Sequence, residues 1–203
     1  MRTLPATDGN SRRAAASGRR GGVDNYPTET VYGIGCAPQI LEAAKRICLA
    51  KGRADNPLPL ACSDTDEARR IVEFSPTAER LAERFWPGPL MLVLPAKVEY
   101  SVWITHGAKT LGVRVPDHQI SQELAKLSGG VIVSTSANLS GEKPPTNASD
   151  AARQLGEKVD LILDGGSTLL TRPSTVIDLS GEYAQILRRG PITWEQIEQA
   201  LGI

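Results

Sequence analysis

Lys51-Gly52-Arg53 and Ser136-Ala137-Asn138 each place polar side chains two residues apart around a small residue. In an extended segment such residues point the same way, so Lys51 and Arg53 can face one anion while Ser136 and Asn138 offer it neutral hydrogen-bonding groups. Arg114, Arg188, the Ser134–Ser136 run and Ser174-Thr175 add further cations and hydroxyls, each following or ending an expected element. This is a vocabulary for binding anions: guanidinium forks match carboxylates and phosphates, and a lysine ammonium acts as a point charge. The common nucleotide motifs are not written here. There is no GxxxxGK[ST] loop, and Gly33-Ile34-Gly35 lacks the third glycine of GxGxxG.

Metal and thiol chemistry are not indicated. His106 and His118 form no helical two-histidine motif, and His118, after Pro116-Asp117, reads as a helix-start surface position. Cys36, Cys48 and Cys62 are odd in number and lie 12 and 14 residues apart, which suits neither a disulfide framework nor a zinc site. They are expected to be reduced, buried thiols. No paired carboxylates stand out for acid–base work, so no general base is assigned.

The elements that must position these groups are legible from period and caps. Ile40, Leu41, Ala44, Ile47 and Cys48 make one helical face within 38–50, with Gly52 just beyond it. Asp64 with Glu67, and Ser75 before Pro76, open two more helices. Ile120, Leu124 and Leu127 line another, stopped by Gly129-Gly130, and Thr193 with Gln196 caps a last one. Short β-like runs alternate with these helices at 58–61, 90–94, 111–115, 131–133, 159–163, 175–179 and 184–187. The expected fold class is therefore α/β or α+β, with functional loops at 141–147 and 165–173.

Composition limits the partners. Lys plus Arg and Asp plus Glu are 23 each, and aromatic residues are only 4%, so the chain as a whole lacks the basic, aromatic-rich character of a nucleic-acid-binding domain. Any anion site must be local. Arg2, Arg12, Arg13, Arg19 and Arg20 stand against Asp8 alone in the first twenty residues, which are expected to form a basic, solvated arm, residues 1–20, ahead of one domain over 21–203. No apolar run approaches the ~18 residues of a membrane helix, and the Arg-rich start lacks a signal-like apolar stretch, so a cytoplasmic protein is expected.

Several phrases occur together and in order: Tyr26-Pro27-Thr28-Glu29-Thr30-Val31-Tyr32-Gly33, Lys51-Gly52-Arg53 followed by Asn56-Pro57-Leu58, Trp86-Pro87-Gly88-Pro89, and Gly112-Val113-Arg114-Val115-Pro116. Ser134 to Gly141, Ser174-Thr175-Val176 and Leu187-Arg188-Arg189-Gly190 complete the set. From about Gly21 to Gly190 the chain thereby resembles the YrdC-like threonylcarbamoyl-adenylate synthases, in a short form. The resemblance implies a twisted mixed sheet flanked by helices around a basic cavity, and synthesis of threonylcarbamoyl-AMP and pyrophosphate from L-threonine, bicarbonate or CO2, and ATP. It also implies a downstream threonylcarbamoyl transferase complex that modifies adenosine in tRNA.

Carried over by motif, Lys51, Arg53, Ser136 and Asn138 match the catalytic tetrad of that family. Arg53, Asn56, Thr110, Asn138, Thr146 and Arg188 match its ATP contacts, and Thr30, Arg114, Ser136 and Ser174 its threonine contacts. Mg2+ is expected to accompany the triphosphate, held mainly by phosphate oxygens and water. A carbamoyl-adenylate-forming relative and a noncatalytic RNA-binding module are the alternative readings. Gly22 to Tyr26 departs from the family, which usually has Val, Ile or Ala where this chain has Asp24-Asn25, poor strand residues and costly when buried. Arg172, in the loop before Ser174, is an additional cation without an assigned use.

Overall fold

The computed structural model describes residues 2–52 and 56–202. The chain runs β1 (Arg2–Pro5), α1 (Asp8–Gly18), β2 (Asp24–Tyr26), β3 (Gly33–Cys36), α2 (Leu41–Lys51), β4 (Leu60–Cys62), α3 (Thr65–Ile71) and α4 (Pro76–Phe85). It continues through β5 (Leu90–Pro95), α5 (Val102–Thr105), β6 (Thr110–Arg114), α6 (Gln119–Leu127), β7 (Val131–Ser136) and α7 (Ala148–Leu155). The closing elements are β8 (Leu161–Asp164), β9 (Thr175–Asp178), β10 (Gln185–Arg188) and α8 (Trp194–Leu201). Among the described residues the strands form one mixed sheet in the order β1-β8-β2-β3-β7-β4-β6-β5-β9-β10.

The caps behave as their chemistry requires. Asp64 accepts from the Glu67 amide, Ser75 from the Ala78 amide ahead of Pro76, and Thr193 and Gln196 form a reciprocal capping box. Gly52 ends α2 in the left-handed conformation that glycine adopts without penalty.

The alternation of strand residues divides the sheet into two faces. Ile34, Leu60, Leu92, Val113, Val133 and Ile177 point to one side and pack against α2, α4 and α7 in the main core. Tyr26, Ala61, Ile132, Leu161 and Leu163 point to the other and are covered by Ala14 and Ala15 of α1 and Ile120 and Leu124 of α6. That cover reaches only as far as β4. Over β6, β5 and β9 the same face is open; the outward residues of β6 there are small or polar, Thr110, Gly112 and Arg114, and they stand beside Met91 and Val93 of β5 and Val176 and Asp178 of β9. A cavity follows because helices cover only half of this face.

Two sequence expectations change. The basic segment expected as a solvated arm is folded over 2–18: β1 pairs in parallel with β8, and α1 buries Ser11, Ala14, Ala15 and Gly18 while Arg12 and Arg13 face solvent. Its inner face is made of small residues that close packing rewards but that carry little hydrophobic signal. His118 does stand at the start of α6, yet it is half-buried, and burial depresses its proton affinity despite Glu29 and Asp117 nearby. All three cysteines are buried, and among the described residues none forms a disulfide. No helix among the described residues is long and apolar enough to cross a membrane.

Candidate functional site

The turn after β2 is tied down by its own hydroxyls. Thr28 Oγ1 donates to the Val31 carbonyl at 2.7 Å and accepts from the amides of Thr30 and Val31. With its one proton so used, Thr28 leaves the Thr30 hydroxyl to donate to it across 2.8 Å. Arg114 Nη1 then donates to Thr30 Oγ1 at 3.2 Å and to Glu29 Oε1 at the same distance. Arg114 is thus a buried cation held by one carboxylate and one hydroxyl.

A second loop closes over this turn. The Tyr32 hydroxyl donates to the Gly166 carbonyl at 2.8 Å and accepts from the Gly165 amide, and the Leu170 amide donates to the Glu29 carbonyl. Burial pushes the Tyr32 phenol up to about 12, so it remains a donor at neutral pH. Gly33 and Gly35, which resemble part of a phosphate fingerprint, have a packing role instead. A Cβ at Gly35 would collide with the Val133 carbonyl and the Tyr26 ring, which lies against both glycines.

The cavity has two adjoining chambers that share Pro59, Met91, Thr135, Ser136 and Arg188. The inner one, about 50 Å³, is lined by Thr30, Arg114, Ser136 and Ser174. The outer one, about 360 Å³, is lined by Asn56, Thr110, Ser136 and Arg188, with Val93, Val176, Leu187 and Asp178. Arg188 stands between them, its Nε donating to the Ser174 carbonyl at 2.9 Å and its Nη2 to Ser174 Oγ at 3.0 Å. A small pocket with a buried guanidinium and several hydroxyls on an otherwise apolar wall suits a compact carboxylate. The larger chamber, with a cation at its inner end and apolar surface along its wall, suits a nucleotide.

Not every expected residue faces the cavity. Lys51 is 3% exposed and donates from Nζ to the carbonyls of Ser136 and Asn138, the latter at 2.8 Å, so these bonds direct it at the backbone of the loop after β7. The Asn138 amide group donates to the carbonyls of Leu139 and Glu142, while its buried Oδ1 takes no partner among the described residues. Thr146 is half-buried, accepts the Thr168 amide through its carbonyl and lines neither chamber. Arg53 lies outside the described residues.

Two groups escaped the sequence reading. Glu29 sits inside a quoted motif that assigns it no task, and its second oxygen is buried without a partner among the described residues. Asp178 could have been found by continuing the period of two through Ser174 and Val176. Among the described residues no group of three or more His, Cys, Asp and Glu side chains gathers to hold a metal.

Comparison with known proteins identifies relatives of the chain. A family model named Sua5_yciO_yrdC and described as "Telomere recombination" matches residues 18–190. The chain is similar to the threonylcarbamoyl-AMP synthase of Pyrococcus abyssi, 43% identical over 94% of this chain and 57% of that protein. It is also similar to the threonylcarbamoyl-AMP synthase of Bacillus subtilis, 40% identical over 98% of this chain and 58% of the relative. The crystal structure of P. abyssi Sua5 complexed with L-threonine superposes with a TM-score of 0.92 at 40% identity, covering 98% of this chain and 59% of the other. The chain therefore spans less than three fifths of the length of these relatives.

Proposed function

The chain belongs to the Sua5–YciO–YrdC family, and on that premise we propose that it makes threonylcarbamoyl-AMP and pyrophosphate from L-threonine, bicarbonate or CO2, and ATP. The observation that carries the reading is the buried Arg114, fixed by Glu29 and Thr30 in a small chamber that adjoins a larger one at Arg188.

In this reading Arg114 takes the threonine carboxylate, and the hydroxyls of Thr30 and Ser174 meet the substrate hydroxyl. The amine is left toward the shared wall at Ser136, where it adds to the carbon of CO2 with release of a proton, or to that of bicarbonate with loss of water, to give a carbamate. A carbamate oxygen then attacks the α-phosphorus of ATP, the bond to the β-phosphate oxygen breaks, and pyrophosphate leaves. Both reactants are anionic, and Arg188, between the chambers, offsets their repulsion together with Arg53. Alignment and charge neutralisation are the main demands of such a displacement, so no protein nucleophile is required.

Lys51 acts by holding the Ser136–Asn138 backbone in place, while Asn56 and Thr110 line the nucleotide chamber, with Asn138 and Thr146 in the adjoining loops. An Mg2+ ion accompanying ATP would be held mainly by triphosphate oxygens and water and would bring charge neutralisation with it. The product would pass to a tRNA-modifying threonylcarbamoyl transferase complex in the cytoplasm.

The test is pyrophosphate release with ATP and bicarbonate while the amino acid is varied. Threonine should be preferred, serine used less well through loss of a methyl, about 1 kcal/mol, and valine poorly, because it leaves buried hydroxyls unpaired. Release that ignores threonine but responds to carbamoyl phosphate would assign the chain to the carbamoyl-adenylate reading instead.

A further inference from the structure

Among the described residues Asp178 is the one carboxylate that lines the outer chamber. A negative group in a cavity built for anions needs an explanation, and the sheet register supplies it. Val176 on β9 pairs with Met91 on one side and with Arg188 on the other, whereas Asp178 pairs with Val93 and Gln185. Two residues of extended chain, about 6.6 Å, separate these rows. The same step separates Arg114 from Gly112 on β6, and Gly112 pairs with Val93. Both cations therefore lie on one side of the Gly112–Val93–Asp178 row, and the Arg188 guanidinium turns back farther toward Ser174.

Phosphates drawn to Arg188 and Arg114 would be repelled by Asp178 if it shared their row. One row outward, it meets the uncharged part of the nucleotide. Its orientation is fixed, because the Ser180 amide and hydroxyl both donate to Oδ1, at 2.8 and 2.6 Å. Oδ2 takes no partner among the described residues, and the apolar side chains of Val93, Val176 and Leu187 lie beside it.

A carboxylate oxygen with spare lone pairs is an acceptor for hydroxyl donors, and a ribose presents two of them side by side. We propose that Asp178 is a specificity-determining residue that accepts hydrogen bonds from the ribose 2′- and 3′-hydroxyls, so that the site selects ribonucleotides over deoxyribonucleotides. The inference rests on the nucleotide reading of the outer chamber.

Calorimetric titration of ATP, 2′-deoxy-ATP and 3′-deoxy-ATP into the wild-type chain, Asp178→Asn and Asp178→Ala tests it. The wild type should bind ATP about tenfold to a hundredfold more tightly than an analogue lacking a contacted hydroxyl. In Asp178→Ala the nucleotides should bind alike, and Asp178→Asn, which keeps an oxygen for Ser180, should fall between. Equal binding of all three nucleotides by the wild type would overturn the proposal without reference to any variant. So would a full preference retained by Asp178→Ala. Binding is read without turnover, so the two hypotheses separate: ribose selection without threonine-dependent pyrophosphate release keeps the role of Asp178 and refutes the reaction, and turnover without selection does the reverse.

Discussion

Oε1 of Glu29 lies 3.2 Å from Nη1 of Arg114, and the two side chains are 6% and 7% exposed, respectively. A buried pair of this kind is costly to break from one side, because the remaining charge stays out of water without a counterion. Glu29→Ala is expected to lower stability by about 3–5 kcal/mol in denaturant unfolding. Glu29→Gln, which keeps an acceptor oxygen for Arg114, should lose less and should raise the KM for threonine more than it lowers kcat.

Lys51 reaches across from the end of α2 to two carbonyls that follow β7. Lys51→Ala would leave buried acceptors unmet, at about 1–3 kcal/mol each, and loosen the loop that carries Ser136. Adenylate formation should fall roughly tenfold to a hundredfold, and hydrogen exchange over 136–142 should quicken. Arg172 is exposed and lines neither chamber, so Arg172→Ala should change the rate by less than about twofold.

Asp24 gives a pH dependence with a definite sign. Burial pushes its carboxyl up from 3.8 to about 7, Asp160 adds repulsion, and Arg46 and a bond from the Leu161 amide pull the other way. Between those pH values the folded chain binds more protons than the unfolded one, so this group lowers stability as pH rises from about 4 to 7. The penalty is absent below that window and complete above it. Asp24→Asn should therefore be more stable than the wild type by about 2–4 kcal/mol at pH 8, and the difference should vanish toward pH 4.

Residues 2–18 are part of the sheet and its cover, so deletion of Met1 to Asn10 should be felt. Loss of β1 and the first turn of α1 uncovers β8 and loosens Ala14 and Ala15 over Tyr26 and Leu163. A fall in Tm of several degrees is expected, equivalent to about 1–3 kcal/mol. An unchanged Tm would mean that α1 holds its place without β1.

Legibility followed the strength of local signals. Helices α3, α4 and α8 were readable because Asp64, Ser75 and Thr193 cap them through bonds that span three residues. Strand β3 was not, because Gly33 and Gly35 weaken strand propensity, and their reason is the Tyr26 ring packed against them. Helix α7 hid beside a polar loop, although Asn147 caps it and Ala148, Ala151 and Leu155 mark its buried face. The ordered motifs pointed to Thr30, Arg114, Ser136, Ser174 and Arg188, which line one cavity. They could not reveal that Lys51 turns to backbone carbonyls, because those partners are ordinary peptide atoms more than eighty residues away. Asp24 and Asn25 are awkward strand residues by type, and β2 does bury both, with neither side-chain group of Asn25 finding a partner among the described residues.

The parallel pairing of β1 and β2 with β8 governs how the chain can assemble during synthesis. A ribosome releases the N-terminus first, so the β2–β3 hairpin can close at once, but β1 must wait until residues 161–164 have emerged. Until then β2 presents an unpaired edge, the kind of surface on which nascent chains associate with one another. The inner chamber is also completed late, because Ser174 and Arg188 arrive only with β9 and β10. A chain stalled after β7 would carry Arg114 and Ser136 without the strands that close the cavity around them, a state best kept brief by prompt translation or a chaperone.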